Sequence, residues 1–398
     1  MHSPIPGSMH IAINAQLISS EPSYRQAGVH TYSRQLVTAL GELAQAGATP
    51  HRFTVFVHTP DLRAPGVELR VTSPVLERPP VRILWEQAVL PGALRAAGAD
   101  LVHGLVNVLP LAAPIPGVVT VHDLSFLRLP GHFPPLKRLY LSALCRASVL
   151  RAAHIIAVSR QTASDLVHFW RVSPARVSMI PNGVDSRFRP ASAQEAAAFR
   201  AAKGLPERYW LYLGTLEPRK NLTLLLEAFA RWRRQAPPAD QGVQLVLAGA
   251  QGWYYQAIYA RAHDLGLHEA VRFPGYVADE ELPDWYRAAE AFLYPSRFEG
   301  FGLPVLEAMA CGAPVLCSNA AGVREVAGEA ALLLPPDDAG AWVAGFTLIA
   351  GQPALRAALR AAGLARARRF SWSATAAQTL DVYAQALQNT HAARSTAR

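Results

Sequence analysis

The chain has 398 residues, of which 51% are apolar and 17% are charged, and its formal net charge is +9. The length fits two domains of about 200 residues each, and the composition excludes a disordered chain, which needs low hydrophobicity and high charge. No uninterrupted apolar run reaches the roughly 18 residues that a membrane-spanning helix needs.

The positive charge is greatest in the first half of the chain. Residues 1–186 carry 16 basic and 10 acidic side chains, a net +6, against +3 for residues 187–398. This asymmetry suits an anionic ligand or surface, or it reflects an arginine-rich composition without any partner. A nucleic-acid-binding protein would also explain the charge, but no interleaved patch of aromatic and basic residues occurs, so we expect no nucleic-acid partner.

Short β-branched runs alternate with longer amphipathic stretches in the first half. The first eight residues lack the apolar core of a signal peptide, and we interpret them as an extension before a start at Met9. The predicted strands span residues 10–15, 52–57, 100–104, 118–123, 154–159 and 176–185. The predicted helices span residues 31–46, 85–98, 136–153 and 162–170.

The second half repeats this alternation. The predicted strands span residues 209–214, 243–249, 271–275, 291–296, 314–318 and 331–335. The predicted helices span residues 222–235, 253–265, 280–289 and 303–311, and further helices continue to near the end. Short apolar strands alternating with helices predict parallel sheets that are covered on both faces. We therefore predict an α/β fold of two Rossmann-like, doubly wound domains that face each other across a cleft, at residues 9–185 and 186–370.

Parallel sheets bind ligands at the carboxyl ends of their strands, where helix N-termini present unpaired N–H groups. Polar residues and glycines that follow the predicted strands of the first half are therefore candidates. They are Gly28, His103, Asn107, His122, Asp123, Ser159, Asn182 and Asp185. His122 could donate to a sugar hydroxyl or a carbonyl and titrates near neutrality, and Gly28 could allow a ligand to approach the backbone closely. A structural role for either residue remains open.

The segment RFEGFGLPVLEAMACG, at positions 297–312, starts in a loop after a strand and enters a helix. Three backbone N–H groups at this positive helix end predict an anion-binding seat, and they belong to Phe301, Gly302 and Leu303. Glu299 and Glu307 lie on either side of the seat, and a carboxylate can accept two hydrogen bonds from vicinal sugar hydroxyls. The alternative is a plain helix start that Glu299 caps.

The segment GTLEPRKNL begins at Gly214, follows an apolar strand and opens a helix. We expect Arg219 and Lys220 to stand at the mouth of the cleft. Adjacent cations beside a helix N-terminus suit a pyrophosphate, which arginine binds in a bidentate manner and lysine as a point charge. The alternative is a solvated helix start with Asn221 as its cap.

Five motifs together resemble the retaining glycosyltransferases of family four. They are VHDL, AVSRQTASDL, IPNGVD, GTLEPRKNL and EGFGLPVLEAMACG, in this order and spacing. The resemblance covers residues 9 to about 387. It implies the GT-B fold, a nucleotide-sugar donor, a saccharide or lipid-linked acceptor, and no metal or other cofactor. It also implies that the helix at 371–390 packs back on the first domain.

The resemblance assigns donor-binding roles to several candidates. It implies that Arg219 and Lys220 hold the diphosphate, that residues 301–303 assist through their backbone, and that Glu307 binds the ribose. Gly28 would approach the phosphates or the acceptor, and Gly214 is a further candidate for donor binding.

The resemblance also nominates two catalytic residues. Glu299 would contact the donor sugar, and His122 would lie against the same sugar. His103 and Asp123 are further candidates for acceptor or sugar contacts. Attack of the acceptor from the front face of the sugar, with the leaving phosphate assisting, is the mechanism that the resemblance supports.

Donor and location are predicted more coarsely. VHDLSFL and GTLEPRKNL look most like members that use GDP-mannose in polysaccharide or glycoconjugate synthesis. A UDP-sugar or dTDP-sugar donor and a GT-B sugar-nucleotide epimerase are the alternatives. The three cysteines have no metal-ligand spacing and indicate a reducing, cytoplasmic compartment. The predicted helix at 136–153 would lie on anionic lipid headgroups of the inner membrane face through Lys137, Arg138, Arg146 and Arg151, unless it is an ordinary solvated helix.

Overall fold

The computed structural model of the protein describes residues 7–18 and 28–396. The chain divides into two compact units. Among the described residues, unit 1 comprises 7–18, 28–183 and 371–396, and unit 2 comprises 184–370.

Unit 1 contains a seven-stranded sheet in the order β3-β2-β1-β4-β5-β6-β7, and all of its pairings are parallel. The strands are β1 (His10–Asn14), β2 (Arg52–Val57), β3 (Glu68–Val71), β4 (Leu101–Gly104), β5 (Gly117–Val121), β6 (His154–Ala157) and β7 (Val177–Met179). The helices between them are α1 (Gly28–Gln45), α2 (Pro79–Ala88), α3 (Leu90–Ala97), α4 (Ser125–Arg128), α5 (Pro135–Arg151) and α6 (Arg160–Trp170).

Unit 2 contains a six-stranded parallel sheet in the order β10-β9-β8-β11-β12-β13. The strands are β8 (Tyr209–Leu213), β9 (Gln244–Ala248), β10 (Val271–Gly275), β11 (Ala291–Tyr294), β12 (Val315–Ser318) and β13 (Leu332–Leu334). The helices are α7 (Ala193–Ala202), α8 (Leu222–Gln235), α9 (Gln256–Asp264), α10 (Leu282–Ala288), α11 (Leu303–Ala310), α12 (Ala321–Ala327), α13 (Ala339–Gly351) and α14 (Pro353–Ala367). A last helix, α15 (Trp372–Thr396), returns to unit 1 and packs on α1, β5 and β6.

The two sheets have the layered cores that their sequences predict. The strands β1, β5 and β6 of unit 1 and β8 and β11 of unit 2 are buried along their whole length, as expected of parallel strands covered on both faces. In unit 2, Trp210 of β8 packs against Trp232 of α8 and Phe346 of α13, with ring centroids 4.6 and 4.9 Å apart. The prediction of two Rossmann-like, doubly wound domains is confirmed.

The predicted helix at 85–98 is wrong as a single element. The structure has two helices, α2 and α3, which meet at Val89. Pro91 occupies the first turn of α3, where its missing N–H is tolerated, whereas in the middle of one continuous helix it would remove a hydrogen bond. The helix predicted from residue 31 begins earlier, so that Gly28 is the first residue of α1 rather than part of the loop.

Four elements lack a counterpart in the sequence prediction, namely β3, α4, α7 and α12. β3 is an edge strand in which Glu68 and Arg70 form an ion pair at 3.0 Å, so it shows no apolar run. α7 begins with a capping box, in which Ser192 and Glu195 each accept a hydrogen bond from the other's backbone N–H.

Candidate functional site

Two cations and a glutamate form a buried cluster at the carboxyl end of the unit 2 sheet. Lys220 Nζ lies 2.6 Å from Glu299 Oε1, and an Arg219 Nη atom lies 2.9 Å from Glu299 Oε2. Glu217 accepts a second bond from Arg219, at 2.8 Å. The segments that carry these side chains follow the neighbouring strands β8 and β11, so the fold brings together residues about 80 positions apart.

Lys220 is buried, with only 7% of it exposed, which does not fit the alternative interpretation of a solvated helix start. Its ammonium donates to the Tyr294 hydroxyl at 2.7 Å and to Glu299 at 2.6 Å. A lysine ammonium has three donors, and the third has no acceptor among the residues that the structure describes. Within the described residues, this buried ammonium therefore has one unused donor.

Glu299 is an anion in this cluster. Burial would raise its pKa, but the charges of Arg219 and Lys220, together with hydrogen bonds from Lys220 and Ser296, lower the pKa to about 2. Ser296 Oγ donates to Glu299 Oε1 at 2.6 Å. The side chain can therefore accept hydrogen bonds from hydroxyl groups, and it holds no proton to donate at neutral pH.

The loop after β11 presents unpaired N–H groups at the start of α11. No backbone–backbone hydrogen bond within residues 7–18 and 28–396 uses the N–H of Phe301, Gly302 or Leu303. Gly302 has a backbone φ angle of 108°, a positive value that glycine adopts more readily than residues with a side chain. A Cβ atom on Gly322 of α12 would lie 2.1 Å from the carbonyl oxygen of Glu299, so the loop packs directly on α12. Open N–H groups and nearby cations can together neutralise a phosphorylated group.

Glu307 has surroundings different from those of Glu299. Its Oε2 accepts a hydrogen bond from the Tyr286 hydroxyl at 2.9 Å, and only 7% of the residue is exposed. Burial raises the pKa of Glu307, and the hydrogen bond from Tyr286 and the charge of Arg187 offset this rise only in part. The resulting pKa is about 7. The two glutamates thus differ in protonation near neutral pH, although the sequence presents them as one pair.

The predicted glycines lie where backbones come close or are exposed. Gly214 and Gly249 follow β8 and β9 with φ values of 152° and 140°. A Cβ atom on Gly249 would lie 2.0 Å from the Gly214 carbonyl oxygen, so the two strand ends meet at a separation that a side chain would prevent. Gly28 is exposed at the first position of α1.

In unit 1, His122 is held by both its backbone and its ring. Its N–H donates to Asn107 Oδ1 at 3.0 Å, and Nε2 lies 2.9 Å from the Leu105 carbonyl oxygen. A carbonyl only accepts, so the ring proton is assigned to Nε2 and the neutral ring presents Nδ1 as an acceptor. Burial lowers the pKa of His122, with partial compensation from Leu105 and Asp123, so the neutral form prevails at pH 7. The free ring nitrogen, Nδ1, can therefore accept a hydrogen bond from a hydroxyl group but cannot donate one. The sequence analysis had instead considered His122 as a donor.

The other two candidates of unit 1 have structural partners. His103 is fully buried, with Nδ1 at 2.8 Å from the Tyr383 hydroxyl of α15 and Nε2 at 2.9 Å from Thr120 Oγ1. Asp123 Oδ1 accepts from the backbone N–H of Ser125 at 2.9 Å, at the start of α4. Both side chains thus have partners within unit 1, and the sugar or acceptor contacts of His103 and Asp123 stay predictions.

Sequence analysis missed Tyr294 and Tyr286, which lie in ordinary strand and helix positions without a local signal. Glu217 and Ser296 belong to the segments that follow predicted strands, but the sequence assigned neither residue a specific role. Asn221 does not cap α8 through its side chain, which instead donates to the Pro336 carbonyl at 2.6 Å.

Two family models match the chain. The model of glycosyltransferase family 4 matches residues 27–188, and that of glycosyl transferases group 1 matches residues 194–366. The chain is 35% identical over 270 residues to the O-antigen chain mannosyltransferase B of Escherichia coli, covering 67% of this chain and 69% of that protein. It is 33% identical to the D-inositol 3-phosphate glycosyltransferase of Thermobispora bispora, where the match covers 60% of this chain and only 58% of the relative.

Solved structures share the fold. A sucrose-phosphate synthase from Thermosynechococcus elongatus superposes with a TM-score of 0.76 at 24% identity, covering 96% of this chain and 99% of that one. The Anabaena protein HepE in complex with UDP-glucose gives a TM-score of 0.72 at 20% identity, covering 94% and 99%.

Proposed function

Because the chain belongs to glycosyltransferase family 4, as its motifs predicted, and is a glycosyltransferase of the GT-B type, we propose that it transfers a hexose from a nucleotide sugar with retention of configuration. The observation that carries this proposal is the buried cluster of Arg219, Lys220 and Glu299 beside the open N–H groups of α11. The leaving group of such a transfer is a nucleoside diphosphate, whose developing charge must be stabilised. The open donor of Lys220 and the α11 N–H groups suit that task.

The remaining donor contacts follow from the chemistry of each side chain. Glu307 is proposed to bind the ribose hydroxyls and Glu299 the hydroxyls of the transferred sugar, because both are buried acceptors. From unit 1, His122 is proposed to accept a hydrogen bond from the sugar through Nδ1. Gly214 and Gly28 are proposed to leave room for the donor.

We propose front-face attack as the chemical route. The acceptor hydroxyl attacks the anomeric carbon on the side of the departing phosphate, which takes up the hydroxyl proton as the bond to phosphate breaks. A double displacement would require a carboxylate nucleophile at the anomeric carbon. Glu299 is an anion, but its two oxygens already bind Lys220 and Arg219. Two predictions about partners remain from the sequence: the reaction needs no metal or other cofactor, and the protein binds no nucleic acid. For the metal, we expect that EDTA leaves turnover unchanged.

GDP-mannose is the proposed donor. The relative from Escherichia coli is named a mannosyltransferase, which supports mannose. UDP-glucose is bound in the HepE structure, so UDP-sugars and dTDP-sugars are the alternatives. We propose a saccharide or lipid-linked acceptor in polysaccharide synthesis, because the relative from Escherichia coli is named an O-antigen chain mannosyltransferase.

We expect GDP and GDP-mannose to raise the melting temperature most within a panel of GDP, UDP, dTDP and their sugars. A ligand at 100 times its dissociation constant stabilises by about 2.7 kcal/mol, which is a rise of roughly 5–10 °C for a domain of this size. Differential scanning fluorimetry provides the measurement. A flat response to every nucleotide would contradict the proposed function, whereas a larger response to UDP or dTDP would change only the donor. Conversion of the donor without any acceptor would instead indicate an epimerase.

A cytoplasmic location with peripheral contact to an anionic membrane is proposed from the surface of unit 1. None of the described helices combines the length and apolarity that a membrane crossing requires. Helix α5 carries four basic residues and no acidic one, and Leu136 and Leu139 in its first turns are 79% and 68% exposed. Cations beside exposed leucines suit the interface of an anionic bilayer. The three cysteines are buried free thiols, in keeping with a reducing compartment.

Reversing two charges of α5 is expected to weaken binding to anionic vesicles by at least about 10-fold, since each basic residue near the surface contributes about 1 kcal/mol. The variant is Arg138→Glu with Arg146→Glu, and cosedimentation with phosphatidylcholine vesicles, with or without phosphatidylglycerol, measures it. The matched control, Arg52→Glu with Arg63→Glu, changes the same charge at exposed positions of unit 1 outside α5. Equal losses in both variants would show that net charge, and not α5, governs binding.

A further inference from the structure

A second group of buried polar side chains lies in unit 1, at the point where the strand order of the sheet reverses. The chain runs outward from β1 to β2 and β3 on one side and from β4 to β7 on the other. Open α/β sheets bind ligands at the carboxyl ends of the strands on either side of such a point. Here these ends are Asn14 of β1 and Gly104 of β4, which are paired in the sheet.

Asn14 and Glu86 form the centre of this group. Asn14 Nδ2 donates to Glu86 Oε1 at 3.1 Å, and the two residues are 8% and 5% exposed. Asn14 Oδ1 is buried and has no hydrogen-bond partner in the described part of the chain. Gln16, which is 1% exposed, lies beside them and exchanges hydrogen bonds with Thr72.

These side chains line a small cavity. Its volume is about 10 Å³, and its walls are Asn14, Gln16, Leu17, Glu86, Val106 and Val108. A space of this size holds about one water molecule. A ligand above it would insert a single hydroxyl group rather than a whole ring.

The chemistry of the group selects hydroxyl donors. Asn14 Oδ1 and the Glu86 carboxylate are acceptors, and an unpaired buried carbonyl favours a ligand that donates to it. The neighbouring cation, Arg82, has its Nε atom 3.7 Å from Glu86 Oε1, so the two charges balance each other. A phosphate or carboxylate on the ligand would therefore meet no net positive charge from this pair, whereas a neutral hydroxyl group would meet no repulsion from Glu86.

We propose that Asn14 and Glu86 bind hydroxyl groups of a neutral sugar, the terminal residue of the acceptor, at the carboxyl ends of β1 and β4. The inference rests on the proposed function and adds to it the class of acceptor and two residues that determine its specificity. Sequence analysis missed both residues, which stand 72 positions apart.

The test measures the binding of small probes by saturation-transfer NMR. The probes are the methyl α-pyranosides of mannose, glucose and galactose, together with mannose 1-phosphate. With the proposed donor site saturated by GDP, we expect the native protein to bind at least one neutral glycoside more tightly than mannose 1-phosphate. Glu86→Gln and Asn14→Ala should each weaken that binding by about 10-fold or more. The control, Glu42→Gln, removes an exposed carboxylate of α1 and should leave binding unchanged.

The outcomes separate this inference from the proposed function. A melting-temperature rise with nucleotides that persists in Glu86→Gln shows that the variant is folded and that donor binding is independent of this site. The inference is overturned if the native protein binds none of the neutral glycosides, if it prefers mannose 1-phosphate, or if both variants bind as well as the control. Loss of the nucleotide response in the native protein would overturn the proposed function instead.

Discussion

Replacing Lys220 with methionine is expected to lower kcat by about 10²- to 10³-fold, which is the usual loss when one donor to a developing oxyanion is removed. Methionine keeps an apolar stem in the buried space but cannot donate to the leaving diphosphate. Glu299 retains Arg219 as a counterion at 2.9 Å, so the variant should fold. The measurement is the rate of nucleoside diphosphate release at saturating donor and acceptor.

The chain offers a close control for this substitution, because it has only three lysines. Lys203 lies in the same unit, where its half-exposed ammonium pairs with Glu281 at the surface at 2.6 Å. Lys203→Met should leave kcat within about 2-fold of the native value. If Lys220→Met behaved in the same way while its melting temperature stayed normal, Lys220 would have no part in the chemistry.

Raising the pH from about 4.5 to about 7 is expected to reduce the free energy of unfolding by about 3 kcal/mol through Glu307 alone. The pKa of this glutamate rises from 4.5 to about 7 on folding, so the folded state holds more protons in this interval. This destabilisation is absent below the unfolded-state pKa of 4.5 and complete above the folded-state pKa of about 7. Glu307→Gln should remove this dependence and be more stable than the native protein by about 3 kcal/mol at pH 8.

Urea unfolding at pH 5 and pH 8 measures this difference. Glu269→Gln, which changes an exposed glutamate of the same unit, is the control and should follow the native protein. Parallel pH profiles for all three proteins would contradict the buried, protonated state of Glu307. Glu307→Gln should also weaken nucleotide binding, because an amide binds ribose hydroxyls less strongly than a carboxylate. Stability and donor affinity thus oppose each other at this position.

The sequence predicted the sheets well, because buried parallel strands are apolar along their whole length. It failed where an element is stabilised by polar contacts, as in β3 with its Glu68–Arg70 pair. The start of α7 carried a recognisable signal, since Ser192 and Glu195 have the spacing of a capping box. The split between α2 and α3 was also readable in principle, because Pro91 stands inside the predicted helix.

The candidate site was predictable in its parts but not in its pairings. The motifs identified Arg219, Lys220 and Glu299, and the fold joins them. The burial of Lys220 and its bond to Tyr294 depend on the packing of β11 against β8, which no local pattern records. The pairing of Asn14 with Glu86 is equally distant in sequence.

The return of α15 to unit 1 affects the order in which the protein matures on the ribosome. Residues 184–370 form one continuous stretch, whereas unit 1 waits for Tyr383 to reach His103 and for Trp372 to pack near Tyr32. At about 5–20 residues per second, the wait lasts roughly 10–40 s. During that time the amino-terminal half is an incomplete core with exposed apolar surface. We therefore expect the second unit to fold before the first, the reverse of the usual vectorial order, and nascent unit 1 to be a client of chaperones.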